Sequence, residues 1–231
     1  MISCCSKWLL GLCLLCCPLT GWTQAEDPIL WQSRFTLNYK LNYDWSLNFN
    51  TTYRSTLLED YDSPFQLTTE HLQLSHNTSY TVGFYGKVAA GVMYRFNTIK
   101  DDTNENELRF TQQYSYAKRF NAFRWVHRFK TDQRIRKSNT QYRFRYRISA
   151  DFPLSGLKVD PKEFYLILST ETVFNTSARL NPAWDQRFTG NIGYQWAKQL
   201  KIQLGLEYRT EDYLRAIKRR SFINTTLFYS M

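Results

Sequence analysis

Apolar and polar residues alternate one by one along most of this chain. From Tyr142 to Ile148 every even position is aromatic or aliphatic, and every odd position is arginine. Because successive side chains of a β-strand point to opposite faces, this segment predicts a strand with one apolar and one cationic face. The same period of two recurs along the chain, which predicts an all-β fold.

Eleven segments show this period, and their connections alternate between short and mostly longer ones. The alternating apolar residues lie within 31–39, 45–53, 72–82, 88–96, 108–116, 123–131, 142–148, 164–168, 188–194, 200–208 and 222–229. The short connections are 40–44, 81–86, 117–122 and 196–199, the longer ones are 55–67, 98–106, 174–185 and 211–218, and Pro153–Pro161 forms a further turn. This arrangement predicts an up-and-down antiparallel sheet.

A soluble β-sandwich would also alternate polar and apolar residues, so further features are needed to favour a membrane barrel. The segments are close to the ~9–11 residues of a tilted transmembrane strand, and their connections alternate in length. The polar faces are highly charged, and aromatic residues lie near segment ends, as at Trp31, Tyr39, Trp45, Tyr80, Tyr116 and Trp196. We predict a transmembrane antiparallel β-barrel of about twelve strands, since single-chain bacterial barrels usually have an even number.

The N-terminal segment has the character of an export signal. All five cysteines lie within residues 4–17, Lys7 is the only charged residue before Glu26, and an apolar run extends from Trp8 to Leu19. We interpret residues 1–25 as a secretory signal peptide and residues 26–231 as an outer-membrane barrel. Acylation at Cys16 or Cys17 is an alternative. The remaining chain has no cysteine and therefore no disulfides.

Composition agrees with a finely alternating chain. Aromatic residues make up 17% of the sequence, yet the mean hydropathy is −0.51 and the net charge is +10. A basic protein invites a nucleic-acid role. Export and the placement of cations on strand faces argue against that role, so we expect no nucleic-acid partner.

Several motifs resemble a family of uncharacterised outer-membrane β-barrels, a domain of unknown function common in Bacteroidetes-type bacteria. The matching stretches are 44–47 (DWSL), 125–134 (WVHRFKTDQR), 142–148 (YRFRYRI), 171–175 (ETVFN) and 185–188 (DQRF). The resemblance implies a barrel in the outer membrane of a Gram-negative bacterium and brings no established activity. The chain departs from typical barrels at its end, where the last aromatic residue, Tyr229, lies two positions before Met231.

If the apolar face contacts lipid, the opposite face carries many more cations than acids. The inward cations are Arg34, Arg54, Lys87, Arg95, Arg109, Arg124, Arg128, Lys130, Arg134, Arg143, Arg145, Arg147, Arg187, Lys201 and Arg209. The inward acids are Glu107, Asp132, Glu163, Glu171 and Glu207. The interior of the barrel is therefore predicted to be basic.

Cross-strand register indicates where these charges meet. A turn at 136–139 places Asp132 opposite Arg143, Lys130 opposite Arg145 and Arg128 opposite Arg147. A similar hairpin before it places Glu107 beside Asp132 and Arg109 beside Lys130. Arg109, Lys130 and Arg145 then form a row without an acid, which would repel unless an anion or screening ions lay in front of it.

This row predicts a lumen that binds anionic solutes, because a guanidinium group can bind carboxylate or phosphate through two hydrogen bonds. The candidate residues are Arg109, Arg124, Arg128, Lys130, Arg134, Arg143, Arg145 and Arg147. The leading hypothesis is a small, porin-like, anion-preferring channel. The alternatives are a closed structural or surface-interaction barrel and, further off, an outer-membrane lipid-modifying enzyme.

Enzyme chemistry has little support in the sequence. Of the three histidines, His71 has inward parity, whereas His76 and His127 share the lipid-facing parity. A hydrolase needs a nucleophile paired with such a base, and no motif joins a serine to His71. We predict no enzyme activity, cofactor or metal site. The expected partners are outer-membrane lipid and lipopolysaccharide, the barrel-assembly machinery and small anionic solutes.

Overall fold

A computed structural model describes residues 27–59, 64–97, 104–121, 123–178 and 181–231. The predicted signal peptide lies outside these residues. The described chain is all-β, and it contains no helix long and apolar enough to cross a membrane. Its strands are β1 (Ile29–Lys40), β2 (Trp45–Leu58), β3 (Thr68–Val82), β4 (Gly86–Phe96), β5 (Glu107–Arg119), β6 (Arg124–Ile135), β7 (Thr140–Pro153), β8 (Phe164–Ser177), β9 (Ala183–Gln195), β10 (Leu200–Glu211) and β11 (Lys218–Ser230).

The strands form one closed barrel in which each strand pairs with its neighbours in sequence. These pairs are antiparallel, and β1 closes the barrel by pairing with β11 in parallel, from Ile29 opposite Ser221 to Asn38 opposite Ser230. The predicted all-β, up-and-down barrel is confirmed. The eleven segments counted in the sequence are the strands, and the described chain holds no twelfth strand. A parallel seam makes the odd number possible, because the first and last strands then run the same way.

The strands are longer than the alternating pattern indicated. Residues 55–58, predicted as loop, belong to β2, and the predicted loop 174–185 contains the end of β8 and the start of β9. Ladder pairing accounts for both corrections, since Leu58 lies opposite Ile29 and Asn175 lies opposite Ala183. A segment whose backbone N–H and C=O groups are hydrogen-bonded to a neighbouring strand remains extended, because another conformation would leave those groups unpaired.

The two ends of the barrel differ. We call one the short-turn end; it carries the connections 41–44, 83–85, 120–123, 154–163 and 196–199, and β11 finishes there. We call the other the long-loop end; it carries 59–67, 97–106, 136–139, 178–182 and 212–217, and β1 starts there. The predicted alternation of lengths fails at 154–163, which is long, and at 136–139, which is short.

The two faces of the sheet reverse the arrangement found in soluble proteins. Inside, Glu107 is completely buried and Asp132 is nearly so, whereas Leu206 on the outer face is 69% exposed. His76 packs on Phe49 and His127 on Tyr146, both on the outer face as predicted. Aromatic pairs lie near both ends of the barrel wall, such as Trp45 with Tyr80 and Phe174 with Trp184. The predicted facing of apolar and charged residues is confirmed for the residues that lie in strands.

Candidate functional site: a basic lumen with one closed half

The lumen near the long-loop end is filled by ion pairs, and the most deeply buried of them centres on Glu107 of β5. Its carboxylate forms ion pairs with Arg109, with Arg134 at 2.7 Å and with Arg136 at 2.8 Å. Three guanidinium groups therefore share one carboxylate that has no exposed surface. Such a group is stable only because hydrogen-bonded opposite charges replace the water it has lost.

A second cluster joins β6, β7, β8 and β9. Arg145 lies 2.6 Å from the Asp132 carboxylate and 3.8 Å from that of Glu171. Glu171 also pairs with Arg147 at 2.9 Å and with Arg187 at 3.3 Å. One acid again serves several cations, so the cluster keeps a positive charge.

An inward-facing aromatic ring on β11 contacts two arginines, one on β2 and one on β10. Phe222 points inward from β11 and is 1% exposed. The guanidinium carbon of Arg209 lies 3.9 Å from its ring centre, and that of Arg54 lies 5.0 Å away. Both cations are attracted to the negative faces of the ring. Arg209 also forms an ion pair with Glu207.

Together these groups form a layer across the lumen, which we call the ion-pair layer. It consists of Arg54, His71, Glu107, Arg109, Asp132, Arg134, Arg145, Glu171, Arg187, Glu207, Arg209 and Phe222. These side chains come from strands all around the barrel and have little exposure to water. The layer closes the long-loop half of the lumen.

The other half of the lumen, which we call the vestibule, opens towards the short-turn end. Along it, side-chain exposure rises from 12% at Arg145 through 29% at Arg147 to 49% at Arg124 near the mouth. Its wall carries short inward side chains, namely Ser46, Asn48, Asn50, Ser79, Ala89, Ser115 and Ser149. These short side chains leave open the space that arginine side chains fill in the ion-pair layer.

The β6–β7 register agrees with the sequence prediction and the β5–β6 register does not. Arg128 lies opposite Arg147, Lys130 opposite Arg145, and Asp132 opposite Arg143, as predicted. Arg109 lies opposite Arg134 instead of Lys130, and Asp132 lies opposite Thr111. The hairpin turn lies at 120–123, and each β5 residue pairs with a β6 residue four positions later than predicted. The prediction of an acid-free row is wrong, since Asp132 reaches both Arg145 and Lys130.

The structure gives most of the eight candidate cations a partner. Arg109 and Arg134 bind Glu107, Lys130 and Arg145 contact Asp132, Arg147 binds Glu171, Arg124 binds Asp151, and Arg143 donates to the Asn175 side-chain oxygen. Arg128 differs from these. It has no carboxylate within ion-pair distance among the described residues, and its buried Nε has no hydrogen-bond partner there.

Sequence reasoning misplaced some of the acids. Asp151 and Asp185 were absent from the inward set, yet Asp151 pairs with Arg124, and Asp185 is buried and accepts a hydrogen bond from Asn175. Glu163, assigned inward, lies in the 154–163 connection, where it accepts from the Asp160 backbone N–H. Parity along β7 and β9 would have found the first two, because both share the phase of neighbouring inward arginines.

His71 lies within the ion-pair layer, as its parity predicted. Its side chain is buried, and a ring nitrogen lies 2.7 Å from the Gln73 amide nitrogen. This burial gives His71 no support as a catalytic base, and the absence of enzyme activity stays a prediction. The described residues contain no group of three or more His, Cys, Asp or Glu side chains placed to hold a metal ion.

Comparison with known proteins provides a family but no activity. The family model described as "Protein of unknown function (DUF2490)" matches residues 22–218. A search of curated proteins gave no match. The matched region covers ten of the eleven strands and reaches the start of β11, so it spans nearly all of the barrel. The resemblance to an uncharacterised family is confirmed: the chain belongs to the DUF2490 family of proteins of unknown function.

Proposed function

We propose that this chain is a bacterial outer-membrane β-barrel whose basic vestibule takes up small anionic solutes from the short-turn end. The observation that carries the proposal is the inverted barrel wall, with exposed apolar residues outside and a surplus of cations inside. Only a closed barrel satisfies all strand hydrogen bonds in lipid. Short turns face the periplasm in such barrels, so the vestibule would open towards the periplasm.

A charge on the outer face tests the membrane location. Leu206 lies near the middle of β10 and is 69% exposed. If lipid covers it, Leu206→Arg destabilises the folded barrel by about 2–4 kcal/mol, because arginine is costly near the bilayer midplane. Unfolding in lipid vesicles by denaturant titration measures this change.

Ile217→Arg is the matched control, since Ile217 is also exposed but lies in the 212–217 connection. It is expected to change the unfolding free energy by less than ~0.5 kcal/mol, as for an ordinary surface substitution. If Leu206→Arg is equally harmless in vesicles, the outer face does not contact lipid, and the membrane location is wrong.

Charge-selective labelling tests the basic vestibule. Ser149 of β7 has the inward parity of Arg145 and Arg147, and residues 18–231 contain no native cysteine. We expect Ser149→Cys to react with a sulfonate-bearing methanethiosulfonate about tenfold faster than with its trimethylammonium analogue, relative to free cysteine, because a cationic cleft concentrates anions.

Thr111→Cys supplies the control, because Thr111 is buried in the closed half of the lumen. It should react slowly with both reagents. Equal relative rates for the two reagents at Ser149→Cys would mean that the vestibule does not select for negative charge.

Passage of anions through the whole barrel is the second candidate function. The surplus of inward cations favours it, but the ion-pair layer lies across the path and would have to move. Planar-bilayer recording separates the candidates. A steady, anion-selective conductance that is lost in Arg145→Glu supports a channel, whereas a silent barrel with a reactive vestibule supports uptake into a closed lumen or a purely structural barrel.

A further inference from the structure

The deep part of the vestibule contains cations that the described residues do not neutralise. We propose that Arg34, Arg128 and Arg147 form a binding site for the phosphate group of a small solute or lipid headgroup. The proposal rests on the proposed function, in which the vestibule takes up anionic solutes, and it identifies the chemical class of the ligand.

The first part of the site is a like-charged pair on adjacent strands. Arg128 of β6 and Arg147 of β7 are directly opposite each other in the ladder and both point into the lumen. Like charges in that position repel and destabilise a sheet. Arg147 is partly neutralised by Glu171 at 2.9 Å, but that carboxylate also serves Arg145 and Arg187. Arg128 has no such partner among the described residues.

The hydrogen bonds of these groups are also incomplete. The Nε atoms of Arg128 and Arg145 are buried and lack a partner within the described chain. A buried donor without an acceptor costs about 1–3 kcal/mol, and more when it is charged. An anion bound in front of Arg128 would accept the hydrogen bond that its Nε lacks.

The third arginine approaches from the opposite wall. Arg34 lies on β1, which is separated from β6 and β7 by about half the circumference of the barrel in either direction. Its Nε donates to the Thr52 hydroxyl at 3.3 Å, and its side chain is exposed within the lumen. It interacts electrostatically with Arg128, Arg145, Arg147 and Arg209, and with the acid Glu207. That acid is already paired with Arg209.

The arrangement suits phosphate better than carboxylate. Within the described chain, Arg34 and Arg128 leave two positive charges without a paired carboxylate, which matches the roughly −1.5 to −2 charge of a phosphate monoester at neutral pH. Guanidinium groups on opposite walls need an anion with oxygens pointing in several directions. A tetrahedral phosphate presents three or more oxygens, whereas a planar carboxylate presents two. Short side chains such as Ser115 and Ser149 leave space beside it.

Calorimetric titration of the full barrel in a phosphate-free detergent tests the site. Inorganic pyrophosphate is the probe for a free solute, and short-chain phosphatidic acid is the probe for a lipid headgroup. We expect at least one of them to bind, and Arg34→Gln or Arg128→Gln to weaken that binding by at least tenfold. The matched control is Arg220→Gln at the long-loop end of β11, where the Glu211 carboxylate lies 3.6 Å from the guanidinium. It should weaken binding by less than threefold.

Labelling gives a second measurement that does not depend on a calorimetric signal. In Ser149→Cys the bound probe should slow labelling, and adding Arg128→Gln should abolish that protection. The proposal is overturned if neither probe binds, or if Arg220→Gln weakens binding as much as the other two variants do. Failure of binding with charge-selective labelling intact removes the site alone. If probe binding and charge-selective labelling are both absent, the vestibule does not attract anions, and the proposed function is wrong as well.

Discussion

Replacing Glu107 with glutamine is expected to destabilise the barrel by about 3–5 kcal/mol, the usual cost of removing one partner from a buried ion pair. The amide keeps the size of the side chain but removes its charge. It would leave Arg109, Arg134 and Arg136 close together without the anion that now holds them. Denaturant unfolding of the barrel in micelles, followed by tryptophan fluorescence, measures the loss.

Glu105→Gln is the control for this change. Glu105 lies two residues away, is partly exposed, and accepts hydrogen bonds from Ser138 at 2.8 and 3.0 Å. Its loss should cost less than ~1 kcal/mol, as for exposed ionic contacts. Equal effects of the two substitutions would show that the ion-pair layer does not stabilise the barrel through Glu107.

Phe222→Ala is expected to cost a similar amount, about 3–5 kcal/mol, because it removes a completely packed ring and leaves a cavity. The cavity would lie between Arg54 and Arg209, which also lose the ring faces that attract them. Phe222→Leu should recover part of the lost stability through its volume but none of the cation–π attraction. Unfolding curves of the three proteins measured side by side separate the two contributions.

Ile223→Ala is the neighbouring control, since Ile223 points to the outer face and is 39% exposed. In micelles it should cost much less than Phe222→Ala. If the two alanine variants unfold at the same denaturant concentration, Phe222 does not pack inside the lumen as described.

The facing of the residues and the β6–β7 hairpin could be read from the sequence because each follows from a local rule. The period of two assigns every strand residue to a face. The 136–139 connection is polar and only four residues long, so it fixes which residues of β6 and β7 pair, including Arg128 with Arg147. Both properties depend on residues close together in the chain.

The β5–β6 register could not be read in the same way. The predicted pairing differs from the observed one by four residues. In the structure Lys130 lies opposite Gln113, whereas the prediction placed it opposite Arg109. A displacement by an even number leaves every side chain on its face, so the hydrophobic pattern cannot reveal it. The sequence also could not show that the vestibule cations come together, because Arg34 approaches Arg128 only after the barrel has closed.

That closure has a consequence for the order of assembly. The seam joins strands at opposite ends of the chain; the Trp31–Thr225 hydrogen bond across it spans 194 residues. Every other strand pair connects sequence neighbours. Because the entropy cost of closing a loop grows with its length, we expect the hairpins to form early and the seam last. Until then β1 and β11 are free edges able to pair with another chain. The seam is thus where assembly must be guided, and where a delay would favour aggregation.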